Sequence, residues 1–185
     1  MIHDRAAKRW VQDGMGTLLF RKLRPDEFDV AHGILVSAAD WLISKGIRQW
    51  TNAYPKELYR AHQDNGWNYG LVSDGRLAVI VTLSWEIPAG WVDYFGTTPV
   101  WWLSKLATAP SHRGHALGSL AVRHVIDTLA DQGIDRLCLD CVHASGFLVD
   151  FYQGLGFRTI DRRDVQFDTG LFDMVLMELK IPKVT

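Results

Sequence analysis

At 185 residues the chain has the length of a single domain. A hydrophobic fraction of 48% suffices for a packed core and excludes wholesale disorder, while a formal net charge of -1 supplies no broad field for nucleic acid or an anionic membrane. With no run of 18 apolar residues and no apolar signal core at the N-terminus, a cytoplasmic location is the expectation.

Residues 1–16 are polar and aperiodic and read as a loose leader to one domain at 17–182. Residues 17–23 predict a strand. Arg24-Pro25-Asp26 stops it and opens a helix in which Val30, Ile34, Ala38, Trp41 and Leu42 recur at steps of three and four, closed by Gly46. A short second helix is predicted at 55–62, ended by Asn65-Gly66. Strand patterns at 67–72 and 76–85 flank Ser73-Asp74-Gly75, a hairpin signal.

The stretch 86–99, with Pro88, Gly90, Gly96 and Pro99, reads as a loop, and 100–108 as a strand halted by Ala109-Pro110. The clearest helix spans 116–132: Leu117, Leu120, Ala121, Val125 and Leu129 share a face, and Gly133 sits where a terminating glycine belongs. A strand at 135–142, a short helix at 146–155 and a hairpin at 157–167 and 171–180 complete the chain. The order β-α-α-β-β-β-α-β-α-β-β fits neither strict βα alternation nor an all-β meander. It indicates a mixed α+β sheet with helices on both faces. Cys138 and Cys141 stand three apart in a strand, so their thiols diverge, and no second pair or histidine spacing completes a metal site.

The chemistry concentrates in 106–119, Leu106-Ala107-Thr108-Ala109-Pro110-Ser111-His112-Arg113-Gly114-His115-Ala116-Leu117-Gly118-Ser119. A strand ends, a proline turns the chain, and small residues lead into the best helix. The unpaired N–H groups of the helix's first turn, its dipole and the Arg113 guanidinium together suit an anion such as a pyrophosphate. Glycine in such a turn also has a purely local reading; Arg113 shifts the balance toward phosphate. A P-loop requires a lysine that this segment lacks, and the dinucleotide fingerprint requires another glycine spacing at the first βα turn.

Arg113-Gly114-His115-Ala116-Leu117-Gly118 resembles the Arg/Gln-x-x-Gly-x-Gly/Ala signature of the GNAT N-acetyltransferases, with Ala116 where the family usually has glycine. Alanine there retains the backbone N–H and adds one methyl. The family's second block, Asn, Tyr seven residues on and Gly-Phe four beyond, is matched in spacing by Ser145, Tyr152 and Gly156-Phe157, with Ser145 in place of Asn. The resemblance spans roughly residues 17–180. It implies a mostly antiparallel seven-stranded sheet and acetyl transfer from acetyl-CoA to an amine by direct attack.

The resemblance further implies coenzyme contacts from Leu106, Ala107, Thr108, Arg113, Gly114, His115, Ala116, Leu117, Gly118, Ser119 and Ser145. It also implies a bulge near 106–108 that frees main-chain N–H groups for the acetyl carbonyl and the pantetheine arm, and Tyr152 as the acid that protonates the departing thiolate. The base stays open among Glu86, His143, Asp140 and a water relay, with Glu86 preferred. Trp41, Gln49, Trp50 and Trp85 are candidate walls for a small-molecule amine. The expectation includes no metal, no nucleic acid and no membrane partner, while exposed aromatics can equally serve a homodimer surface. A peptide or protein amine is the alternative acceptor, and a non-catalytic acyl-CoA sensor the competing class. A vicinal-oxygen-chelate protein would require two βαβββ repeats, and the sequence shows no repeat.

Overall fold

The computed structural model describes residues 8–11, 17–47, 54–167 and 170–182. Within the stretch read as a leader, β1 (Lys8–Val11) pairs antiparallel with β2 (Thr17–Lys22), and the other leader residues lie outside the described ones. A 3-10 turn at Pro25–Glu27 leads into α1 (Phe28–Ser44), and α2 (Lys56–Asp64) follows. The hairpin β3 (Asn68–Ser73) and β4 (Arg76–Ser84) comes next. A loop then carries a 3-10 turn, Ala89–Trp91, and a single helical turn, α3 (Val92–Phe95). The chain continues through β5 (Trp101–Thr108), α4 (Leu117–Ala130), β6 (Arg136–Val142), α5 (Phe147–Gly154), β7 (Arg158–Phe167) and β8 (Gly170–Lys180).

The strands form one sheet in the order β1-β2-β3-β4-β5-β6-β8-β7. The seven strands expected from the sequence are present, with β1 added at the β2 edge. All pairs are antiparallel except β5 with β6.

Helices cover both faces. On one, Phe28, Ala31, Ile34, Leu35 and Ala38 of α1 and Tyr59 of α2 pack on Val72, Ile80 and Ala107. On the other, Leu117, Ala121, Val125 and Leu129 of α4 and Tyr152 of α5 pack on Leu71, Val81, Leu103 and Leu139. Cys138 and Cys141 are both buried, in different clusters, as diverging strand side chains must be.

The face expected for α1 needs correction. Val30 is 58% exposed, and the buried row is Phe28-Ala31-Leu35-Ala38-Leu42 with Ile34 and Ala39 beside it. Two neighbouring rows of this helix carry apolar residues at helical spacing, and the sheet takes the one that contains Phe28. A buried polar link seats α2: Thr82 Oγ1 donates to Asn68 Oδ1 at 2.7 Å, and Asn68 Nδ2 donates to the Tyr59 carbonyl at 3.2 Å.

The loop after β4 is fixed over the sheet's far end by Trp91, which is fully buried with Phe95, Trp102 and Val165. A Cβ at Gly90 would lie 2.4 Å from Val165 Cγ1, on a β-branched side chain that cannot swing away cheaply. Gly90→Ala is therefore expected to cost about 1–3 kcal/mol, read as a lowered Tm in thermal unfolding. An unchanged Tm would show that the loop does not rest on β7 in this way.

Candidate active site

Two departures from regular sheet geometry build the site. The first is in β5. Ile80 pairs with Ala107 and Thr82 with Ser104, so Lys105 and Leu106 together oppose Val81 alone. That is a β-bulge, and Lys105 takes up its twist at a left-handed φ of 53°. The resemblance placed the bulge near 106–108; it starts one residue earlier. The second departure is the parallel pairing of β5 with β6, which consists of Trp101 with Leu137 and Trp102 with Cys138. Beyond those pairs β6 continues along β8 while β5 leans away, and the sheet opens as a wedge.

A cavity of about 1060 Å³ fills the wedge and runs to the start of α4. At that end its wall is formed by Leu106, Ala107, Thr108, Arg113, Gly114, Ala116, Leu117, Gly118 and Ser119. His115 belongs to the same predicted set, but it is exposed and off the wall. Ser145 lies in the 3-10 turn His143–Ser145 after β6. Arg113 reaches across to α1, where its guanidinium donates to the Ser37 carbonyl at 3.1 Å and to Ser37 Oγ at 3.3 Å and lies 5.6 Å from the centre of the Trp41 ring. It is thereby held at the cavity edge beside the first-turn N–H groups of α4.

Ala116 is the cap of α4 rather than its first helical residue, and it is left-handed with φ 56° and ψ 16°. This gives the physical reason for glycine at that place in the signature: an L-residue is strained there. Ala116→Gly is expected to raise stability by about 1 kcal/mol, checked by thermal or urea unfolding. A lowered midpoint would contradict the strain.

The middle of the cavity carries the ionisable groups. Tyr152 from α5 lines it and is only 8% exposed, its ring edge-on to Phe151 at 5.0 Å and to Phe157 at 5.7 Å. Burial, with smaller contributions from Cys141 and Asp140, raises its pKa and keeps the phenol protonated. Glu86, just past β4, is on the wall, as is Asp140 from β6, whose Oδ2 accepts from Trp91 Nε1 at 2.9 Å. Burial raises the Asp140 pKa, opposed by that hydrogen bond and by Lys105.

Lys105 was not singled out from the sequence. It lines the cavity with Nζ 3.2 Å from Ser104 Oγ and 4.4 Å from the centre of the Tyr54 ring. Burial lowers its pKa to about 8 against the pull of Asp140 and Glu86. Burial and then Lys105 push His62, on the same wall, down to about 4, so that imidazole is neutral at physiological pH. The signal in the sequence is a single charge in the otherwise uncharged, mostly apolar run Trp101-Trp102-Leu103-Ser104-Lys105-Leu106.

Of the predicted acceptor walls, Trp41 lines the cavity, with Phe147 edge-on at 6.5 Å. Trp85 is 51% exposed and packs edge-on between Trp67 and Trp101, outside the cavity lining that its neighbours Ser84 and Glu86 join. Gln49 and Trp50 lie outside the described residues. Much of the remaining wall is apolar and aromatic, with Leu58, Phe151, Phe167, Phe172 and Met174. Among the described residues no cluster of three His, Cys, Asp or Glu is arranged to hold a metal ion, and no helix is long and apolar enough to cross a membrane.

Comparison with known proteins gives a coherent result. The model of the Acetyltransferase (GNAT) family matches residues 36–157. No curated protein matches the sequence. A GNAT-family acetyltransferase from Listeria monocytogenes is similar in fold with a TM-score of 0.75 at 15% identity, over 94% of this chain and 99% of that one. The ribosomal-protein-S18-alanine N-acetyltransferase of Escherichia coli gives 0.66 at 18% identity, over 91% and 96%. The protein yncA of Salmonella typhimurium, with its cofactor acetyl-CoA, gives 0.65 at 15% identity, also over 91% and 96%.

Proposed function

Because the chain belongs to the GNAT acetyltransferase family and is an acyltransferase, we propose that it moves the acetyl group of acetyl-CoA onto the primary amine of a small molecule by direct attack. The observation that carries the reading is a continuous cavity joining a helix N-terminus to the parted strands β5 and β6. The first end offers N–H donors from Leu117, Gly118 and Ser119 with the Arg113 guanidinium beside them, which suits a diphosphate. The second lies along β5 where no strand covers its β6 side, so main-chain N–H groups near the bulge are available to a pantetheine amide and to a thioester oxygen.

In this reading Tyr152 returns a proton to the leaving sulfur and Glu86 accepts one from the attacking amine, with Asp140 and Lys105 setting the local field. The acceptor lies toward Tyr54 and Phe172, walls that suit an amine with an apolar or aromatic body, while Glu86 attracts its ammonium; Trp41, against Arg113, and Phe147 beside it lie toward the coenzyme end. The test is thiol release from acetyl-CoA across a panel of aliphatic and aromatic primary amines, with short peptides bearing free N-termini as a second arm. Turnover with a small amine supports the proposal. Turnover confined to peptides would overturn the acceptor class and keep the transferase.

A further inference from the structure

Lys105 occupies a place that surface lysines do not. The bulge forces it into left-handed backbone, a conformation that costs about 1–2 kcal/mol for an L-residue and persists only where the surroundings impose it. Its ammonium ends inside the cavity against Ser104 Oγ and the Tyr54 ring rather than in solvent. The charged or titratable groups around it are Glu86 just past β4, Asp140 from β6, Tyr54 just before α2 and His62 within it. The two carboxyls favour its charged form, yet burial outweighs them. A substantial fraction of Nζ is therefore a neutral primary amine near pH 8.

That amine belongs to the same bulge whose main-chain N–H groups are available to the thioester. A carbonyl held there is within reach of the lysine's own four-carbon stem, and the effective concentration of the amine is that of an intramolecular reactant. Chemically it is indistinguishable from the head of an aliphatic amine acceptor. We propose that Lys105 is an internal acyl acceptor: with acetyl-CoA in the cavity and no amine at the acceptor end, the acetyl group passes to Lys105 Nζ. The nitrogen lone pair forms the new C–N bond, the C–S bond breaks, the sulfur takes a proton, and the nitrogen sheds one to the neighbouring carboxylates or to water. No oxidant or further reactant enters. The product is a neutral amide on the acceptor wall. This inference rests on acetyl-CoA being the donor bound in the cavity.

The test incubates the full chain with saturating acetyl-CoA and no amine, and follows intact mass and a peptide map. The expected result is one acetyl group per chain, located on Lys105. Its rate should rise about tenfold per pH unit up to about 8 and level above it, as the neutral fraction does. Lys105→Arg, which keeps the charge and removes the nucleophile, should slow the gain at least about tenfold, and heat-unfolded chain should show no preference for this lysine. Acetylation spread over other lysines, or equal in unfolded protein, overturns the inference. Calorimetry with coenzyme A separates the two failures. Binding with Lys105 unmodified removes the internal acceptor alone, whereas no binding removes the acetyl-CoA reading and this inference with it.

Discussion

Gly118→Leu is expected to fold normally and to lose coenzyme A binding by more than about a hundredfold, roughly 3 kcal/mol. Gly118 lies in the first turn of α4 on the cavity wall. A Cβ there meets only Thr108 Oγ1 at 3.5 Å and Phe151 Cζ at 3.9 Å, which is ordinary contact, so the first atom of the new side chain is accommodated. Leucine is also a far better helix former than glycine, by up to about 1 kcal/mol, so the thermal midpoint should hold or rise. The remaining atoms project into the space in front of the Leu117, Gly118 and Ser119 N–H groups and fill the place of a diphosphate. Gly118→Ala supplies the graded control, with a loss of only a few-fold. Calorimetric titration with coenzyme A checks the series alongside thermal unfolding. Wild-type affinity in the leucine variant, with the fold intact, would remove the phosphate end from the start of α4.

Most of the fold was legible because the local signals agreed with one another. The hairpin at Ser73-Asp74-Gly75, the stop at Gly133 and the apolar face of α4 are each set by neighbours in sequence, and the structure places them within a residue or two of expectation. Where two local answers were equally good, tertiary packing chose. Val30 and Phe28 lie on adjacent rows of α1, and periodicity alone cannot say which row meets the sheet. The same limit hid the site's middle. Asp140 and Glu86 were visible as candidates, but nothing in their spacing reveals that β6 parts from β5 after Cys138 and brings Asp140 to the cavity. Nothing local in the sequence marks Lys105 as a cavity residue: a lone charge in a strand usually faces water, whereas a bulge breaks the alternation on which that expectation depends. The end proposed for the phosphates differs in being contiguous in sequence, so 106–119 can be read as one unit. Even there the left-handed turn at Ala116 shows only in three dimensions.

Tyr152→Phe is expected to lower kcat by at least about a hundredfold, the lower bound for a lost general acid, and to leave coenzyme affinity within a few-fold of wild type. The ring's contacts with Phe151 and Phe157 do not involve the hydroxyl, so phenylalanine preserves them and the fold. A raised pKa makes Tyr152 a weaker acid, but the cause of the shift answers that objection. The desolvation that holds the proton on the phenol also destabilises a thiolate formed in the same cavity and raises its basicity, so donor and acceptor move up together. The sign also fixes the pH behaviour. A phenol whose pKa lies above its ordinary value remains protonated from acid through neutral pH, so the wild-type rate should show no limb from Tyr152 in that range. Any rise toward pH 8 then comes from a base, from Lys105 or from the acceptor amine. The variant should keep the shape of the wild-type pH profile at a lower height. A variant with unchanged kcat would clear Tyr152 of the acid role, and one that lost coenzyme binding equally would make it a wall of the cavity instead.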